Sequence, residues 1–182
     1  MPTETPSTHD HPQPGLNRLT QIGALLLVVI MLLAALGQVV LALGGLTLLF
    51  ASALITLALI APVIMLTTAT PPVQLAPEGI TLLPVVWPRR FVTWEQVAAI
   101  KDYPLLPHKD AEVGRRALQG RRGYRAPEGK MLVIPSLPFV YRFTGVFAGE
   151  GFTPVIALTN RAHRDYDVLI SKVMAWYDDS RP

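Results

Sequence analysis

No Asp, Glu, Lys or Arg occurs between Leu19 and Val73. Nothing else in the chain limits the fold as strongly. One bilayer crossing takes about 20 apolar residues, and the uncharged run at 19–68 is roughly twice that. A soluble core helix does not need such length. Gly44–Gly45 is the best break, giving spans at 19–43 and 46–66. Gly37 beside Gln38 offers a second turn. With so short a loop the two helices must be antiparallel neighbours. A cleaved signal peptide is the competing reading. It needs a basic leader and an apolar stretch of only about 7–15 residues, whereas here Arg18 stands with Glu4 and Asp10 and the apolar stretch does not stop.

Two crossings bring the chain back to its starting side. Arg18 flanks the first span and Arg89–Arg90 follow the second, so the positive-inside rule places both termini in the cytoplasm, on the inner face of a plasma membrane. No ionisable residue lies within the spans, which argues against an ion pathway. Gln38, Ser52 and Thr56 are polar groups that bond either across the helices or to their own helix carbonyls. The tail at 1–18 is rich in Pro, Thr and His, a composition that reads as disordered. His9 and His11 alone make a poor metal site.

After Pro71–Pro72 the pattern changes. "VQLAPEGITLLPVVW" reads as strand, turn and strand, with Pro77-Glu78-Gly79 as the turn. "WPRR" at 87–90 is the next reversal, "FVTW" alternates, and "EQVAAIKDY" continues extended to Pro104. "FVYRF" at 139–143 reads as a strand with Phe139, Tyr141 and Phe143 on one face. "FAGEGFTPVIAL" gives a glycine turn and a last strand. Thr159 or Asn160 caps the approach to a closing helix over 164–177. Its stripe is Tyr166, Leu169, Ile170, Val173, Met174 and Tyr177, with Trp176 near the edge. Short strands followed by one amphipathic helix predict a bent antiparallel sheet with the helix over an open end.

The order of these parts resembles the bacterial membrane proteins that carry a pleckstrin-homology-like domain behind a two-helix hairpin. "LAPEGITLLP" opens the sheet as in that family. Trp94, Glu95 and Val97 match its Trp-acid-x-Val/Ile step. Thr159, Asn160 and Arg161, then Asp165, Tyr166, Asp167 and Leu169, match the turn and start of its closing helix. The resemblance implies an α+β membrane protein: a transmembrane hairpin at 19–68, then a PH-like sheet or barrel at 73–182 capped by a C-terminal helix. It does not imply phosphoinositide binding, since the basic spacing of lipid-binding PH loops is missing, and fold alone does not set function.

The segment at 104–130 departs from the family in its length. Within it lies "GRRALQGRRGYR", in which Arg115, Arg116, Arg121, Arg122 and Arg125 occur without an acid. Asp110 could cap a short helix running to Gln119 there. A bilayer-anchored domain holds such a run near anionic lipid, where each basic residue is worth about 1 kcal/mol. Only Tyr124 offers a stacking surface within it, which argues against nucleic acid. A solvated loop is the plain alternative. The other candidate is Trp87, Arg89 and Arg90, an interfacial pairing of types or simply a hairpin tip.

Enzymatic signals are poor. Cysteine is absent, and there is no phosphate loop, HExxH, GxSxG or GxGxxG. Ser136 reads as a turn residue, and His108 and His163 as loop residues. Asp165 and Asp167 read as first-turn acids that suit the helix dipole, and Asp178–Asp179 as a frayed end. The expectation is a non-enzymatic module without cofactor or metal. It would bind a protein partner, a second copy of itself or anionic headgroups. Alternatives are an assembly or scaffolding factor of a membrane complex with an unrelated β-rich domain, or an enzyme with an unrecognised site.

Overall fold

The computed structural model describes residues 6–114, 117 and 124–181. Its first helix, α1, covers Pro14–Leu43, and α2 covers Leu49–Thr68. At 1.5 Å per residue the 20 residues of α2 extend about 30 Å, the thickness of a bilayer's hydrocarbon core. The break falls at Gly44–Gly45, where Gly45 takes φ +114°, and α1 runs straight through Gly37 and Gln38.

Buried positions recur every seven residues on both helices: Gln21, Val28, Ala35 and Ala42 on α1, Ala53, Ile60 and Thr67 on α2. This spacing keeps one seam in register along the pair, and its alanines let the backbones approach closely. Much of the remaining surface of the pair is bare. Leu33 is 65% exposed and Leu48 88%, and only 17% and 6% of the most apolar windows of α1 and α2 are buried. A soluble core helix would be mostly covered. Both helices are long and apolar enough to cross a membrane. The Thr56 hydroxyl lies 2.9 Å from the Ser52 carbonyl and 3.3 Å from Gln38 Oε1, so the two roles foreseen for these residues meet in one side chain.

Two small antiparallel sheets follow. The first has the order β1-β2-β3-β4, from Ser7–His9, Val73–Ala76, Gly79–Leu82 and Arg90–Thr93. The second has β5-β6-β7, from Ala99–Asp102, Gly129–Val133 and Val155–Thr159. Leu75, Ile80, Leu82, Leu132, Ile156 and Leu158 form one core, which the closing helix α4, Tyr166–Asp179, covers with Tyr166, Leu169, Val173 and Tyr177. Trp176 meets Trp94 at 6.2 Å between ring centroids. Met174 of the anticipated stripe faces outward at 37% exposure. The helix starts at Tyr166, two residues later than expected, behind Asp165 at φ +52°.

Three further expectations are corrected. The described part of the tail is not free: Ser7–His9 pairs with Val73–Leu75 as the edge strand β1, while residues 1–5 lie outside the described residues. His9 is buried, with Nδ1 3.2 Å from the Arg164 carbonyl. Composition described what the tail cannot do alone, and missed that the edge of β2 was there to template it. The second concerns "FVYRF", which is helical. A 3-10 turn over Phe139–Tyr141 runs into α3, Arg142–Phe147. The phenylalanines at 139, 143 and 147 are also spaced by four, and a five-residue window cannot separate that period from two. The third is the extended reading of "EQVAAIKDY", which is interrupted by a 3-10 turn over Trp94–Gln96 before β5.

The inner face of α3 is tightly fitted. Thr144 Oγ1 donates to the Val155 carbonyl at 2.5 Å, and a Cβ on Gly145 would fall 1.8 Å from the Thr153 oxygen. The neighbour is backbone and cannot swing aside. Gly145→Ala is therefore expected to cost about 2 kcal/mol or more, read as a lower midpoint in denaturant unfolding of the full chain in micelles.

Candidate functional site

The last turn of α2 enters the domain. Thr67, Thr68 and Ala69 are buried, and the Ala69 carbonyl accepts from Ala157 N of β7 at 2.7 Å. Trp87 is half-buried and donates its indole N–H to Thr67 Oγ1 at 2.9 Å. It is thus a brace on the helix end rather than a free tip. Arg89 and Arg90 are exposed beside it.

Next to this helix end, Met65, Leu66 and Ala69 line one side of a cleft of about 390 Å³, and Tyr103, Leu105, Leu106 and Pro107 line the other. Arg161 reaches its rim. This arginine belongs to the turn after β7 and organises the base of the 104–130 segment. Its Nε donates to Glu112 Oε1 at 3.1 Å and its Nη2 to Glu112 Oε2. Nη2 also donates to the Arg125 carbonyl at 2.8 Å, and the guanidinium lies 5.8 Å from the Tyr124 ring centre. The Tyr124 hydroxyl donates to Glu112 Oε2 at 3.1 Å. Glu112 precedes the arginine run, and Tyr124 and Arg125 stand at its end, so described residues from both sides of the run meet at Arg161. Asn160 secures the residues that lead into β6, donating to the Ala126 carbonyl at 2.7 Å and accepting from Glu128 N at 3.2 Å.

Of the anticipated site residues, Arg115, Arg116, Arg121 and Arg122 lie outside the described residues. The helix suggested from Asp110 to Gln119 falls partly outside them too, and a 3-10 turn is described over Lys109–Glu112. Arg125 is described and has a structural partner. It meets Asp167 through two bonds of 2.6 Å and Glu128 at 3.0 Å. The pairing holds the Asp167 carboxyl below its ordinary pKa and raises Arg125 further into its charged form. Asp167 is a first-turn acid as expected, but its partner is a side chain as well as the helix dipole. Asp165 sits at the N-cap and makes no side-chain capping bond.

His163 lies in the turn between β7 and α4, as expected of a loop residue, but it is buried there rather than exposed. It is 2% exposed. Its Nε2 donates to the Pro71 carbonyl at 3.0 Å, and Nδ1 accepts from Thr159 N at 3.2 Å. Burial pushes its pKa down to about 4, outweighing the backbone bonds to Pro71 and Thr159, which favour the charged ring. The sequence carried little sign of these roles: Glu112 is one of two acids just before a basic run, and Arg161 stood out only as part of a turn. Ser136 lies exposed in a turn. Among the described residues, no three His, Asp or Glu side chains stand where they could hold a metal ion.

Fold and site together define an α+β chain with two long apolar helices, two small antiparallel sheets and, near the end of the second helix, an ion pair of Arg161 with Glu112. No family model, curated protein or solved structure matches it.

Proposed function

We propose that this chain is a non-enzymatic, two-span membrane protein whose PH-like domain holds a basic loop against the cytoplasmic face of the plasma membrane. There it binds anionic lipid headgroups or an acidic segment of a protein partner. One observation carries the reading: both stems of the arginine run meet on Arg161, at a cleft whose other wall is Met65 and Leu66 of α2. If α2 spans the bilayer, its end lies at the membrane surface, and so does the loop. Two antiparallel sheets closed by a C-terminal helix support the PH-like reading. The pairing of β1 with β2 supports a hairpin whose two ends lie on one side.

A fragment starting at Val73 would lack β1, so the test uses the full chain. In nanodiscs with anionic lipid, amides of 104–130 should exchange more slowly than in zwitterionic discs, and high salt should abolish the difference. Reversing Arg115, Arg116, Arg121 and Arg122 to Glu should remove it as well. At about 1 kcal/mol each, the four charges amount to roughly a thousandfold in local affinity at low salt. Equal exchange in both lipids, with a protein recovered only by the unaltered loop, would favour the partner over the lipid and with it the assembly-factor role.

A further inference from the structure

The outer face of the segment Phe139–Phe147 has no cover in the domain. Phe139 is 63% exposed, Val146 45% and Phe147 39%. Phe152, 70% exposed, adjoins them, because Gly145 packs on the backbone of Gly151 and Thr153. Single exposed apolar residues are ordinary, but a contiguous set on one small face is not. The same segment packs against α2. From Ile60 to Met65 every residue of α2 is at least partly covered, whereas nearer the tip the covered positions are scattered. The aromatic face is thus continuous with the bare apolar surface of the second helix. Its charge pattern also fits a headgroup layer. Arg142 lies 5.8 Å from the Phe139 ring centre and makes no ion pair among the described residues. The nearby acid, Glu150, is paired with Lys101 at 2.6 Å. Aromatic rings with a cation beside them favour the boundary between headgroups and acyl chains.

We infer that the outer face of Phe139–Phe147, with Phe152, is a second membrane contact that seats in the headgroup–acyl boundary beside α2. The inference rests on the reading that the hairpin spans a bilayer. It fixes the rotation of the domain about the hairpin, with Arg142 at the phosphate level. Because the chain contains no cysteine, single-cysteine variants can be labelled directly. Full-length Val146→Cys and Phe152→Cys, carrying an environment-sensitive fluorophore in nanodiscs, should emit to the blue of the exposed Ser171→Cys control. They should lose intensity to lipids with a spin label near the headgroup, more than to lipids labelled at the chain end. Leu57→Cys, in the middle of α2, tests the span separately and should be quenched best at the chain end. If Val146→Cys and Phe152→Cys behave like Ser171→Cys while Leu57→Cys is quenched by lipid, the second contact is wrong and the span stands. Shielding from both lipid and aqueous quenchers means protein covers the face, which also overturns the inference. Loss of lipid quenching at Leu57 sinks the spanning reading, and the inference with it.

Discussion

Arg161→Ala is expected to cost about 2 kcal/mol of stability and to release the residues on both sides of the arginine run together. The guanidinium meets both oxygens of the buried Glu112 carboxylate, the Arg125 carbonyl and the Tyr124 ring. Breaking a fully buried pair typically costs about 3–5 kcal/mol. The lower figure reflects an arginine side chain that keeps 19% of its surface in water. Arg161→Lys should recover little, because an ammonium cannot reach two carboxylate oxygens and a carbonyl from one plane. Limited proteolysis checks the coupling: cleavage should rise on both sides of the arginine run in the same variant. A variant that loosens only one stem would show that the clasp is not shared.

Acidification is expected to weaken the fold through His163. Its folded pKa is lowered to about 4, against about 6.5 for an unfolded histidine. Between those values the unfolded chain takes up a proton that the fold refuses, so stability falls as pH drops through that window. Over about 2.5 units the loss approaches 3 kcal/mol, and below about pH 4 this residue contributes no more of it. Asp167 acts in the same direction but in a lower window. Its folded pKa is depressed by Arg125, so its contribution is lost only below the ordinary carboxylate range. Denaturant midpoints at pH 7, 5.5 and 4 read the first effect. His163→Gln should be less stable at pH 7 and nearly flat across the same range. An unchanged slope in that variant would assign the acid sensitivity to other groups.

The parts legible in the sequence are those governed by long, unambiguous patterns. The apolar run named two helices and the Gly44–Gly45 turn, because about 50 uncharged residues are too many for one helix and the paired glycines mark the break. The spacing of Leu169, Val173 and Tyr177 named the closing helix. "APEG" at 76–79 marked the turn between β2 and β3 through local backbone preference. What escaped was decided by contacts distant in sequence. The tail became β1 because the edge of β2 was open to it. "FVYRF" is too short to show its period. His163 is buried by Pro71, at the other end of the domain sequence, and Glu112 finds its arginine only through the fold. The arginine run was conspicuous by composition, yet Arg125, its last member, works as an internal strut.

The pairing of His9 with Val73 has a consequence for biosynthesis. β1 leaves the ribosome first, but its partner follows only after the whole hairpin has been made. Closing so long a connection would carry a sizeable entropic cost in a free chain. Two helices packed side by side remove most of that cost by returning their ends to one place. In a membrane, a first helix that inserts without the second leaves β1 and β2 on opposite sides of the bilayer, and the four-stranded sheet cannot close. On the reading that the hairpin spans a bilayer, completion of the sheet would act as a check on insertion: only a chain whose hairpin had gone across and come back would acquire its edge strand.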